Sequence, residues 1–170
     1  MKQITLSQIS FFLFLLFVIL LSGILSSLIL LAMIPLGDYR GITTVLTSIV
    51  FIYLYAFIIY RVFLYFVPLV EGVIKSGSRE EFAAQVNILF YLMLFNSLIR
   101  THFIPVPLMR LVYLALGARL GKNTYSAGVL LDPPLTEIGD NCIIGHDSVL
   151  FSHAIEGDNF SLSRIKMVIM

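Results

Sequence analysis

Three histidines, one cysteine and ten carboxylates are the groups in this chain that can move protons, attack carbonyls or hold a metal. His102 stands in RTHFIPVP, His146 in IGHDS and His153 in FSHAIE. A neutral imidazole takes up a proton near pH 7, which makes a histidine the natural general base. His153 is the first candidate for that work and His146 the second; His102, in a proline break after a long apolar run, reads as a polar interface residue. Asp132, Asp147 and Glu156 are the candidate substrate-binding carboxylates. Asp147 or Glu156 would orient an imidazole, whereas Asp132 and Asp140 also suit the backbone of turns. No metal is expected, because one cysteine and three scattered histidines lack ligand spacing. Cys142 is alone, so no intrachain disulfide forms and a disulfide-stapled secreted fold is excluded.

The elements that must position these groups begin in lipid. The chain is 59% hydrophobic and 12% charged, against about 25% charged in an ordinary soluble domain, so the apolar surplus must face lipid or other subunits. A net charge of +1 gives no reason to expect nucleic acid as a partner. Residues 11–36 carry no charge and are long enough to span a bilayer, which needs about 20 apolar residues. That block is too long for the apolar region of a signal peptide and is read as a retained transmembrane helix. SGILSS in its middle spaces small residues so that a neighbouring helix can approach. GDYRG makes a short loop, and a second span runs over residues 42–70. Arg61 interrupts it, either as the residue marking the interface or as a contact for an anionic group. Ser78 caps the next helix, with Glu80 and Glu81 in its first turn. The apolar run that follows is about 16 residues long and contains Asn87 and Asn96, which predicts an interfacial or re-entrant helix rather than a clean span. LMRLVYLAL (108–116) reads as a short amphipathic helix with Arg110 on its polar side.

From residue 118 the pattern changes. Steps of six from Leu120 give Leu120, Ser126, Asp132, Ile138, Ile144, Leu150, Glu156 and Leu162, with glycine next at Gly121, Gly139, Gly145 and Gly157. Small residues stand four positions after several steps. A six-residue unit of this kind suits one face of a triangular coil, three faces making a turn of about 18 residues. Gly121, Gly139 and Gly145 are expected at corners, where the backbone takes angles that β-carbons resist. The register is poor across YSAGVLLDPP and is lost after His153.

IGDNCIIGHDSVL resembles the hexapeptide repeat of left-handed β-helix acyltransferases. LGARLGKN followed by DPPLTEIGDNCIIGHDSVLFSHAIE resembles the hexapeptide modules that follow transmembrane helices in nonribosomal-peptide-synthetase-like bacterial membrane proteins. The resemblance covers about residues 108–166. It implies an α + β chain in which transmembrane and interfacial helices precede a short left-handed parallel β-helix. It also implies acyl or acetyl transfer from an acyl-CoA or acyl-carrier thioester to a hydroxyl or amine, with one histidine as general base and no metal. His153 lies where the repeat loses phase and a loop can leave the coil, the place this family often gives its base. The His153–Asp158 spacing also matches the His-x4-Asp pattern of glycerolipid acyltransferases, but two residues at one spacing inside a hexapeptide run are read as coincidence.

The expected organisation is two transmembrane helices and a cytoplasmic loop over 1–83, interfacial or re-entrant helices over 84–117, and an incomplete coil of about three turns or fewer over 118–170. Lys75, Arg79 and the later basic residues place the coil on the cytoplasmic side of a bacterial inner membrane. The pattern breaks after Leu162, with Ser163 and Ile169 where glycine is expected, so the coil reads as short or truncated. Membrane lipid and a homotrimer, or a longer hexapeptide partner, are the expected associates. Three functions remain open from the residues: a membrane-bound acyltransferase for a cell-envelope or lipid-linked acceptor, a module of a peptide-forming membrane synthetase, and a non-enzymatic membrane assembly subunit.

Overall fold

The structure is a computed structural model that describes residues 4–101, 103–156 and 159–167, the side chains of 155, 156 and 159 excepted. His102, Asp158 and the apolar 168–170 segment therefore lie outside the described residues.

Helices α1 (Leu6–Ala32) and α2 (Arg40–Phe66) form an antiparallel hairpin joined by a short 3-10 turn. The Thr5 N–H donates to Gln8 Oε1 at 2.7 Å and so closes the first turn of α1. Pro35 and Pro68 follow the two helix ends, where proline cannot extend the hydrogen-bond ladder. One stripe of α1 is buried, through Phe12, Ile19, Gly23, Ser27 and Leu31. The small residues of SGILSS sit on the α2 side: a β-carbon on Gly23 would lie 2.6 Å from Ile52 Cγ1 and 2.9 Å from its backbone nitrogen. Ser26 and Tyr55 share a hydrogen bond at 2.9 Å, and Ser27 donates to the Thr44 carbonyl at 3.1 Å. Much of the remaining surface of both helices is apolar and exposed, including Phe14, Phe17, Ile29, Val50 and Val62.

Ser78 accepts from the Glu81 N–H at 3.1 Å and starts α3 (Arg79–Phe90). A π-helical turn (Tyr91–Phe95) carries it into α4 (Asn96–Arg100). Together these make 22 helical residues, ending close to the Ile99 that the sequence indicated, with Asn87 and Asn96 inside the helix. Asn87 is tolerated inside because Tyr60 donates to its Oδ1 at 2.6 Å. Among the described residues three helices are long and apolar enough to cross a membrane: Leu6–Ala32, Gly37–Phe66 and Arg79–Arg100. Aromatic rings fill the space between them, with Phe90 edge-on to Phe12 at 5.3 Å and Phe57 stacked on Phe95 at 5.2 Å.

Helix α5 (Val106–Leu116) ends at Gly117, whose φ of 106° lies in the left-handed region. It lies over the first strands that follow. Arg110 donates to the Thr124 carbonyl at 2.6 Å, and Tyr113, fully buried, donates to the Gly128 carbonyl at 2.8 Å. The strands are short: β2 (Arg119–Leu120), β3 (Tyr125–Ser126), β4 (Val129–Leu130), β5 (Thr136–Ile138), β6 (Ile143–Ile144) and β7 (Val149–Leu150). They pair in parallel as Leu120 with Ile138, Ser126 with Ile144 and Leu130 with Leu150. Then β8 (His153–Glu156) and β9 (Asn159–Leu162) form an antiparallel hairpin, and β9 also pairs with β1 (Gly72–Ile74) from the loop after α2. The chain returns in β10 (Ile165–Met167), parallel to β5.

Three expectations change here. Leu130, fully buried, holds the interior place that steps of six assigned to Asp132; the following DPP makes a 3-10 turn that restores the spacing and turns Asp132 elsewhere. Glu156 and Leu162, which steps of six placed in line with Leu120, belong instead to the antiparallel β8–β9 hairpin. Left-handed backbone in this region falls at Asn123, Asn141 and Asp147, with φ of 53°, 55° and 63°, rather than at Gly121, Gly139 or Gly145. Asparagine and aspartate tolerate that conformation because their short polar side chains bond locally. Gly121 is needed for a different reason: a β-carbon there would lie 2.5 Å from the carbonyl carbon of Gly139 and against Asp140, whereas one on Gly145 would meet open space.

Candidate functional site

The departure of β8 from the parallel ladders brings His153 against Asp132, 21 positions earlier. His153 Nδ1 lies 2.7 Å from Asp132 Oδ2. The same carboxylate oxygen accepts from the Ser152 N–H at 2.8 Å, and the Asp132 carbonyl accepts from Thr136 Oγ1 at 2.9 Å. The DPP turn fixes the carboxylate from one side and the first residues of β8 meet it from the other. Asp132 is 4% exposed, and its carboxylate is met by the Ser152 N–H and His153 Nδ1 rather than by bulk water. A carboxylate only accepts, so Nδ1 carries the proton of a neutral ring and Nε2 keeps its lone pair. The Asp132 hydrogen bond raises the His153 pKa above its ordinary value; partial burial opposes this and the Asp132 charge adds to it.

The imidazole is reachable, with 31% of its side chain exposed. It lines an apolar cleft of about 280 Å³ together with Asp132, Asn87, Tyr91, Asn96 and Arg100. The buried Ser152 hydroxyl, next to the histidine, has no hydrogen-bond partner among the described residues. A cleft of this kind takes an apolar chain along its wall and presents a few polar atoms to its reactive end.

The other sequence candidates lie apart from it. His146 Nδ1 is 3.1 Å from Asp147 Oδ2, and both side chains are well exposed. Asp147 therefore accompanies His146 rather than His153. Glu156 belongs to β8, and its side chain lies outside the described residues. The partner of His153 is Asp132, which the sequence reading had among the carboxylates for substrate and turn backbone. Asp140 receives the Lys122 N–H at 2.5 Å and serves a turn. Among the described residues no group of three His, Cys, Asp or Glu side chains is placed to hold a metal ion. The cleft residues from α3 and α4 were not foreseen as site residues. Their only trace in the sequence is the presence of Asn87, Asn96 and Arg100 in and after an otherwise apolar run.

Compared with protein-family models, with curated proteins and with solved structures, the chain finds no match.

Proposed function

We propose that the protein is a membrane-anchored acyltransferase in which His153 is the general base and Asp132 its orienting partner. The observation that carries this reading is the 2.7 Å contact between His153 Nδ1 and a buried carboxylate, at the edge of an apolar cleft. In the proposed step, Nε2 takes the proton from an acceptor hydroxyl or amine as its oxygen or nitrogen attacks a thioester carbonyl. The tetrahedral oxyanion then collapses, the C–S bond breaks, and the leaving thiolate takes the proton back from the imidazolium. Asp132 stabilises that imidazolium. Arg100 supplies positive charge at the cleft wall for the oxyanion. The donor is an acyl-CoA or acyl-carrier thioester, and the acyl chain lies along the apolar wall.

Two further features support the class. The pairs Leu120–Ile138 and Ser126–Ile144 are each 18 residues apart, the spacing of one turn of a hexapeptide coil. We read the three parallel ladders as one such short coil, with the β8–β9 hairpin as the loop that leaves it at the base. The exposed apolar surfaces of α1 and α2 support a multi-pass anchor, and the basic residues after α2 favour the cytoplasmic side of a bacterial inner membrane for the strands.

The test is transfer of a radiolabelled acyl group from a thioester to amine and hydroxyl acceptors by the detergent-purified chain. His153→Ala should lower the rate by about 10²- to 10⁴-fold, the usual worth of a positioned base. Transfer unaffected by His153→Ala, or thioester consumption no faster than in buffer, removes the reading.

A further inference from the structure

Arg61 has no part in the His153 site, yet the fold gathers other basic groups around it. It lines a cleft of about 450 Å³ with Arg119, Arg164, Tyr65, Leu69 and Pro134, which brings together α2, the start of β2 and the segment before β10. Arg61 stands near the end of an apolar helix, where a charged group is costly unless it reaches water or a partner. Its guanidinium lies against Gly117, where a β-carbon would come within 2.5 Å of Nη1. The left-handed glycine that ends α5 is thus also the residue that leaves room for Arg61.

The other two arginines each meet one carboxylate. Arg164 Nε meets Glu71 Oε1 at 2.7 Å, and Arg119 meets Glu137 Oε2 at 3.7 Å. Glu137 stands in register between Arg119 on β2 and Lys166 on β10, which adds a fourth cation to this end of the strands. No carboxylate among the described residues forms an ion pair with Arg61. Among the described residues Arg61, Arg119, Arg164 and Lys166 stand against Glu71 and Glu137, so the balance at this end of the molecule is positive.

We propose that this cleft binds a phosphate group. A guanidinium presents a planar fork of donors that matches phosphate oxygens, and a tetrahedral phosphate offers oxygens in several directions, where a planar carboxylate is filled by one fork. Leu64, Leu69 and Leu114 supply an apolar wall beside the three arginines, which suits the glycerol and upper chain of a lipid headgroup. The lipid source rests on the membrane anchor proposed above; the phosphate chemistry rests on the arginines alone.

The experiment is native mass spectrometry of the full chain in detergent, with phosphatidylglycerol, diacylglycerol of the same chains, or inorganic phosphate added. Phosphatidylglycerol should bind at one molecule per chain and diacylglycerol should not. Arg61→Gln should weaken it about tenfold or more, the loss expected of one charge-assisted contact. Gly117→Ala keeps every charge but crowds the guanidinium, and should also weaken binding. Inorganic phosphate that fails to compete at millimolar concentration identifies a lipid headgroup as the source. Phosphate that binds alone and displaces the lipid identifies a soluble phosphate compound; either result supports the site. Equal binding of diacylglycerol, or affinity unchanged in both Arg61→Gln and Arg164→Gln, overturns it. Thermal unfolding of each variant separates lost binding from lost fold. Acyl transfer is not the readout, so this proposal and the acyltransferase reading fail separately.

Discussion

Replacing Asp132 with asparagine tests the relation on which the site depends. Asparagine has the shape of aspartate and keeps one acceptor oxygen, so the DPP turn and the Ser152 N–H contact can persist. The charge beside His153 Nδ1 is what disappears. In the native protein the Asp132 hydrogen bond raises the His153 pKa above its ordinary value, and burial works the other way. With the charge gone, burial is left unopposed, and the midpoint must fall. The stability consequence has a definite sign. A histidine whose folded pKa is raised adds stability that is fully present below its unfolded pKa, about 6.5, and is lost as pH rises through the folded pKa. A hydrogen bond to a charged group contributes about 1.5–3 kcal/mol, so Asp132→Asn should cost about that much near pH 5 and less near pH 9. Some loss remains at high pH, because the Ser152 N–H still prefers a carboxylate to an amide oxygen. The assay is NMR titration of ¹³C-histidine-labelled protein in detergent micelles, with thermal unfolding at both pH values. Asp147→Asn is the control and should leave the His153 midpoint in place. A His153 midpoint unmoved by Asp132→Asn, or a stability loss that grows toward high pH, would refute the pairing.

Other perturbations read other parts of the molecule. If His153 is the base, the second-order rate of transfer should climb with pH through its raised midpoint, and Asp132→Asn should move that acid limb to lower pH while lowering the plateau; a flat profile between pH 5 and 9 would argue against a histidine base. Gly23→Leu drives a side chain into Ile52 and should cost about 1–3 kcal/mol by thermal unfolding, whereas Gly41→Leu, with open space around its β-carbon, should cost little. Tyr60→Phe leaves the buried Asn87 amide without its donor and should destabilise by about 1–3 kcal/mol, and a double variant with Asn87→Leu should recover part of the loss in a double-mutant cycle. Asn141→Ala places a β-carbon without a local hydrogen bond at φ 55° and should cost about 1–2 kcal/mol, whereas Asn141→Gly should be close to neutral in the same melt.

Much of the architecture follows from the order of residues along the chain, because its causes are local. Uninterrupted apolar runs make long helices wherever they occur, prolines end them, and Ser78 with Glu80 and Glu81 starts one through contacts within a single turn. The change from helices to short strands after Gly117 was legible too, as the point where the long apolar runs stop. Three features were decided by the tertiary structure. Asp132 meets His153 because Leu130 takes the interior place two residues early and the turn over Pro133–Leu135 leaves the buried carboxylate facing the start of β8, a shift visible only when β4 is laid beside β7. Left-handed backbone falls at Asn123, Asn141 and Asp147, while glycine at 121 is required by close approach to Gly139 and Asp140. The cleft beside His153 needs Asn87, Tyr91 and Arg100 from helices more than fifty residues away in sequence, and the arginine cleft needs residues 61, 119 and 164. Sequence periodicity reports which face of an element is buried; which distant faces meet is set by packing, and in this protein both clefts lie where helices meet strands.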